Sequence, residues 1–319
     1  MRPLLKILPV LLFIFFFFIV HRFEIASKNF DTSGFSLFLY NIARLGIMFG
    51  IFISSISLSY QTLKTKLDLK SMIKISPLLT FSGLFTIGLV ALSIIGCFLG
   101  VMHLLHWQVV LLCFLLLIAF SDEPIKFFWI SLKKTLGTLH FWKLYENWIY
   151  LGILSLASGL VISLWVLNNG LYPHVFDIDV YETYLPYFRQ VLWDGHVGPN
   201  EFGTKFYEAK GFGLAFLIGL LTNFVSANLA SLLFVMCAAM GLGLVIHSVT
   251  KNISLGILFV FVFFSSLLIL EHGAGYCFKG HALTLSTLSF IFISLFSLNT
   301  CPRISLLCFF WLFFAIALN

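Results

Sequence analysis

The chain has 319 residues, 60% of them hydrophobic and only 10% charged, with 39 Phe and a mean hydropathy of +1.04. That balance excludes an ordinary water-soluble domain and calls for repeated apolar runs of about 20 residues, the length that crosses a bilayer as a helix. The net charge of +6 does not point to nucleic acid, because the Lys residues stand in short connections between apolar runs, where they report orientation, and no nucleic-acid motif is present.

In chain order, Arg2 and Lys6 lead into an apolar run. The His21-Arg22-Phe23-Glu24 that follows lacks the small residues of a signal-peptide cleavage site, so a retained first span is expected over about Pro3 to Val20, with Lys6 snorkelling. A polar connection with Arg22, Glu24, Lys28 and Asp31 leads to a second span, about Phe35 to Tyr60. Lys64, Lys66, Lys70 and Lys74 against the single acid Asp68 then mark a cytoplasmic connection, which also puts the amino terminus in the cytoplasm. The third span, about Pro77 to Gly100, runs outward to a tight turn at His103-Leu-Leu-His106-Trp107, and the fourth returns by about Ser121. Next, Lys126, Lys133, Lys134 and Lys143 interleave with Phe127, Phe128, Trp129, Leu132, Phe141 and Trp142, the pattern of an amphipathic helix on the cytoplasmic leaflet. The fifth span, about Trp148 to Leu167, runs outward.

It delivers the polar interval 169–210 to the non-cytoplasmic face. That interval holds Asp177, Asp179, Glu182, Asp194, Glu201 and Glu208, six of the 13 acidic residues of the chain. Carboxylates gathered beside membrane helices mark a functional site by default, because they are costly there unless they pair, bind metal or do chemistry. Tyr181, Leu185, Phe188 and Leu192 recur at helical spacing, which predicts a short helix along the membrane surface, ended by Trp193, Gly195, Gly198 and Pro199-Asn200.

The run from Gly211 to Phe224 is shorter than a spanning helix wants and carries three glycines. Were it to span, Lys251 and Arg303 would fall outside and Glu271-His272 inside, against the charge rule. A juxtamembrane or re-entrant helix repairs all of these placements: Ala227 to Val249 then spans inward, Ile253 to Leu270 outward, and Glu271, His272, Lys279 and His281 share a side with Asp177 and Asp179. Spans over about Leu283 to Leu298 and Ile304 to Leu318 complete the count; with the end at Asn319 within an apolar run, either this last helix closes the protein or the sequence is a fragment of a longer one, the second reading being preferred.

The expected fold is thus a polytopic helical bundle, all-α, with about nine transmembrane helices plus juxtamembrane helices in a long external loop. Residues 1–145 form an N-terminal four-helix region with a cytoplasmic amphipathic segment, and 146–319 form a second membrane module. The six Cys show no CxxC spacing and at least four lie inside apolar runs, where they read as small core residues.

Two carboxylates at i and i+2 can share a divalent cation or divide metal binding and proton transfer between them. Cationic groups facing the same compartment (Arg189, Lys205, Lys210, His272, Lys279, His281) suit the neutralisation of a departing phosphate. The pattern Asp177-x-Asp179-x-Tyr181-x-x-Tyr184, followed by Arg189 and Gly195, resembles the first external loop of the GT-C membrane glycosyltransferases, especially the protein O-mannosyltransferase and aminoarabinose transferase branch. The order that follows, with a juxtamembrane helix, two spans and a second polar external loop, is similar to that family over about Trp148 to Leu298. Four spans precede the loop here, where the family usually has one, and the carboxy-terminal region of many members is missing.

The resemblance implies that Asp177 or Asp179 is the catalytic base, that Tyr181, Arg189, Lys205, Lys210, Lys279 and His281 contact substrate, and that Asp179, Glu271 and His272 hold a divalent metal (Mg, Mn or Zn). It implies transfer of a sugar from a polyprenyl-phosphate donor to a lipid, glycan or protein acceptor on the non-cytoplasmic face; the Phe-rich, Lys-biased composition fits a bacterial inner membrane and is also compatible with an endoplasmic reticulum membrane. Blander readings stand beside these: Tyr181 and Tyr184 fit an interfacial aromatic belt, Lys279 a headgroup anchor, Glu182 and Glu208 solvated loop positions, and His103 with His106 an interfacial pair rather than metal ligands on a helix. A transporter or flippase for lipid-linked or anionic solutes, and a non-catalytic assembly subunit, are the alternative functions; Arg44 is the mid-span charge that favours the former.

Overall fold

The computed structural model describes residues 2–27, 34–65, 77–138, 185–197 and 213–222, with scattered helical positions between 233 and 260. Among the described residues the regular structure is entirely α-helical: α1 (Arg2–Ser27), α2 (Gly34–Leu63), α3 (Pro77–Val101), α4 (Trp107–Ala119), α5 (Asp122–Thr138), α6 (Leu185–Asp194) and α7 (Gly213–Thr222).

Each long helix turns a stripe inward and leaves apolar side chains outside. Phe13, Phe17 and Val20 of α1 are buried while Leu11, Phe15 and Phe18 stay exposed; Ala43, Ile47 and Ile51 of α2 are buried while Phe38, Leu45 and Phe49 face outward. An apolar exterior of this extent suits a hydrocarbon solvent and would be a liability in water. Phe38–Leu63 (26 residues) and Gly83–Val101 (19 residues) are long and apolar enough to cross a bilayer, which makes this a membrane protein. The apolar stretch of α1, Ile7–Arg22, is shorter.

The fourth crossing differs from its sequence expectation. α4 has 13 residues, roughly 20 Å at the helical rise, against a hydrocarbon core of about 30 Å. Among the described residues a third crossing is complete only if α4 and Asp122–Ile130, bent by 52° from each other, act as one broken span. The bend has a local cause. The Ser121 hydroxyl donates to the Ile118 carbonyl at 2.6 Å, which closes α4. Asp122 and Glu123 then open the first turn of α5, where Pro124 is tolerated because its missing N–H has no intrahelical partner to lose. The elbow is tied to α2 by Gln61 Nε2 donating to the Phe120 carbonyl at 3.2 Å and by the Lys64–Glu123 ion pair at 3.3 Å.

Helix contacts follow the membrane rule that small residues let backbones meet. A side-chain carbon at Gly88 would strike the Ser55 backbone, which sets the α2–α3 crossing, and Gly96 and Gly213 face each other so closely that a carbon at either would strike the opposing main chain. α7 fills the space so framed. All ten of its residues are buried, against α1, α2, α3, α4 and α6. Where a juxtamembrane or re-entrant helix was expected over 211–224, the structure has a helix over 213–222 with no face left exposed. Beyond it, Leu233 and Val260 pack against the same core, and Gly243 lies against Gly256 and Val260, within the two runs expected to span.

Several serine hydroxyls are buried on α2 and α3. Ser55 and Ser59 satisfy theirs on α2 carbonyls, at 2.8 Å to Phe52 O and 3.1 Å to Ser55 O, the local back-bonding open to serine in a helix. Ser54, Ser57 and Ser93 are buried with hydroxyls that meet no partner among the described residues.

Candidate functional site

Of the acid-rich interval, the structure describes α6 and the three residues after it. Pro186 sits in the first turn of α6, where its fixed φ is already helical and it removes no intrahelical hydrogen bond. The inward face is broader than the sequence spacing suggested: Tyr187, Phe188, Val191 and Leu192 are all buried. Phe188 stacks on Phe216 of α7 with ring centroids 5.3 Å apart, and Gly219 of α7 lies beneath Phe188 and Leu192. The same burial pushes the Tyr187 phenol up to about 12, with Cys97 a secondary cause, so it remains a neutral hydroxyl at any physiological pH.

Gly195 ends α6, as its place in the sequence predicted. Its φ of +67° is the left-handed conformation that glycine adopts freely after a helix, and a side chain there would meet the His106 ring. The chain then runs along the α3–α4 turn. Leu105 N–H donates to the Gly195 carbonyl at 3.2 Å, and Val197 N–H donates to the Gly100 carbonyl at 3.0 Å. Beside these bonds the His103 and His196 rings lie face to face, 3.7 Å apart and 3° from parallel.

His103 has a φ of 58°, which costs a residue with a Cβ on the order of 1 kcal/mol. The turn spans residues 102–106 rather than continuing a helix, so His103 and His106 do not stand one turn apart on a helical face as the i, i+3 metal reading required. His196 was not singled out by sequence; it lacks any local signal, because its partner lies far away in the chain.

The opposite face of α6 is open. Arg189 and Trp193, four residues apart and so on one side of the helix, are exposed, Trp193 at 86%. Arg189 is the one expected substrate residue within the described part. Trp193 was read only as a helix terminator, although its i+4 spacing from Arg189 placed the two together. Asp177, Asp179, Tyr181, Lys205, Lys210, Glu271, His272, Lys279 and His281 lie outside the described residues. Among the described residues no three His, Cys, Asp or Glu side chains gather as a metal site would.

The bundle has two distinct ends. The α3–α4 turn, α6 and the carboxy-terminal part of α1, where Phe17 stacks on Trp107 at 5.7 Å, form one. The elbow, Lys64 and the amino-terminal part of α1 form the other. Between them, within α2, Arg44 is buried at 5% exposure, with its guanidinium 5.5 Å from the Tyr40 ring centroid.

The chain matches no protein-family model, no curated protein and no solved structure. What it does must therefore be argued from its own residues.

Proposed function

We propose that the protein is a multi-pass membrane glycosyltransferase of the GT-C type, crossing a bacterial inner membrane about nine times with its amino terminus in the cytoplasm. It moves a sugar from a polyprenyl-phosphate donor to a lipid, glycan or protein acceptor on the non-cytoplasmic face. The observation that supports this reading most is the docking of α6. The helix lies in the acid-rich interval shortly after Asp177 and Asp179, and it is held at the end of the bundle remote from Lys64 by two backbone hydrogen bonds and a buried face. A loop so anchored can hold carboxylates in place, whereas a merely solvated loop needs no such mount.

In this reading Asp177 or Asp179 takes the acceptor's proton, the acceptor oxygen attacks the anomeric carbon, and the carbon–oxygen bond to the phosphate breaks with inversion. The phosphate leaves with the bonding pair, its charge met by Arg189, Lys205, Lys210, Lys279 and His281, with Tyr181 and the exposed Trp193 offering faces to the sugar. A divalent metal held by Asp179, Glu271 and His272 would add charge neutralisation at the phosphate. The deciding experiment is transfer of radiolabelled sugar from a crude polyprenyl-phosphate-sugar pool, with wild type compared to Asp177→Asn and Asp179→Asn at equal membrane abundance. Loss of transfer in either variant supports the reading; full transfer in both overturns it.

A second reading, a transporter for anionic or lipid-linked solutes, draws on buried Arg44 and the unpaired hydroxyls of Ser54, Ser57 and Ser93. Uptake into vesicles that is lost in Arg44→Gln and kept in Asp177→Asn would favour it.

A further inference from the structure

At the elbow end, between α1, α2 and α5, lies a partly open cavity of about 420 Å³. Its wall is almost wholly apolar: Leu12 and Phe16 come from α1, Phe49 and Ile53 from α2, and Ile118 and Trp129 from the two sides of the elbow. Gly46 and Gly50 help to form it by allowing the α1 rings to lie directly on the α2 backbone. Several of these side chains, Leu12, Phe49 and Trp129 among them, are also exposed on the outer surface, so the cavity opens toward the apolar exterior. An occupant would enter it from the bilayer.

The charge beside it narrows what fills it. On α5 the residues that line the cavity, Pro124, Ile125, Phe128 and Trp129, form one stripe. Lys126 and Lys133 stand seven residues apart, hence on one edge of that stripe, and both are exposed. Glu123 is engaged by Lys64 at 3.3 Å. A cationic edge next to an apolar slot, on a helix bent by 52° from α4, matches a lipid with an anionic headgroup.

We propose that this cavity is a binding site for one anionic membrane phospholipid, with an acyl chain in the slot and the phosphate on the Lys126–Lys133 edge. The site lies at the opposite end of the bundle from α6, and nothing in it depends on the sugar-transfer reading.

The test uses the full chain in detergent micelles, titrated with phosphatidylglycerol or phosphatidylcholine of identical acyl chains, with bound lipid counted by native mass spectrometry. Wild type is expected to retain one phosphatidylglycerol with a preference of about ten-fold or more over phosphatidylcholine. The double variant Lys126→Glu/Lys133→Glu should lose the preference yet still take up lipid. Leu12→Trp should lose both lipids, whereas Leu45→Trp, exposed on α2 but outside the cavity, should behave as wild type. If Leu12→Trp loses helicity, Leu8→Trp at the same wall replaces it. Equal retention of the two lipids by wild type, unchanged retention in the folded plugging variant, or occupation by a second copy of the chain instead of lipid would each overturn the proposal.

Discussion

Two helix interfaces in this molecule use glycine in opposite ways. Where α3 meets α7, Gly96 and Gly213 bring main chain against main chain, and a carbon added to Gly213 would strike the Ser93 carbonyl. Where α1 meets α2, a carbon added to Gly46 or Gly50 would strike only the rings of Phe16 and Phe13, beside an open cavity. The first interface has no soft partner and cannot yield without separating two helices. The second has a ring that can turn and a space to receive it. Density is thus concentrated around α7, while slack is left where α1 faces the elbow.

The sharpest way to break that contrast is to substitute both kinds of glycine. Gly213→Ala should destabilise the protein by about 3 kcal/mol, read as a fall in the detergent unfolding midpoint, because overpacking against backbone forces helices apart. Gly46→Ala should cost under about 1 kcal/mol, since the Phe16 ring can move aside. Equal losses would mean that the α1–α2 interface is as rigid as the α3–α7 one. Gly195→Ala stands between these, at about 1–2 kcal/mol, since it must hold a left-handed φ and displace the His106 ring; limited proteolysis should show α6 released before the bundle unfolds. At the elbow, Lys64→Ala should change stability by no more than about 0.5 kcal/mol, because its ion pair with Glu123 is largely exposed.

The smallest effect is alkaline. The folded Tyr187 phenol is raised to about 12 from an ordinary 10, so its contribution to stability is complete below pH 10 and is lost as pH climbs from 10 toward 12. Tyr187→Phe should flatten the unfolding midpoint over that interval.

The same two interfaces explain what could be seen in advance. The limits of α2 and α3 were legible because apolar runs with polar ends dictate them, whereas the elbow was read only as a return near Ser121, and Asp122 and Pro124, which start α5, were not used. α6 was legible from its spacing and from Gly195, although Tyr187 and Val191 were missed on its buried face. Which glycine opposes which was not legible. Gly96 and Gly213 carry no local mark of each other, since a close approach depends on residues more than a hundred positions apart. The face-to-face pairing of His103 with His196 was hidden for the same reason. Of the candidate site, Arg189 is seen on the open side of α6, while the Asp177-x-Asp179 pair rests on sequence.

The burial of α7 on every side also constrains how the protein is made. α1 to α4 leave the ribosome before it, and at roughly 5–20 residues per second the chain needs about 5–20 s to travel from the end of α4 to Gly213. During that interval the faces of α1 to α4 that α7 will cover stand without it, and apolar surface left bare in a bilayer meets lipid tails. Insertion of α7 is then an exchange, helix for lipid, rather than an entry into empty space. The close fit at Gly96 and Gly213 favours the helix in that exchange, because a flexible acyl chain cannot approach a main chain as a glycine does.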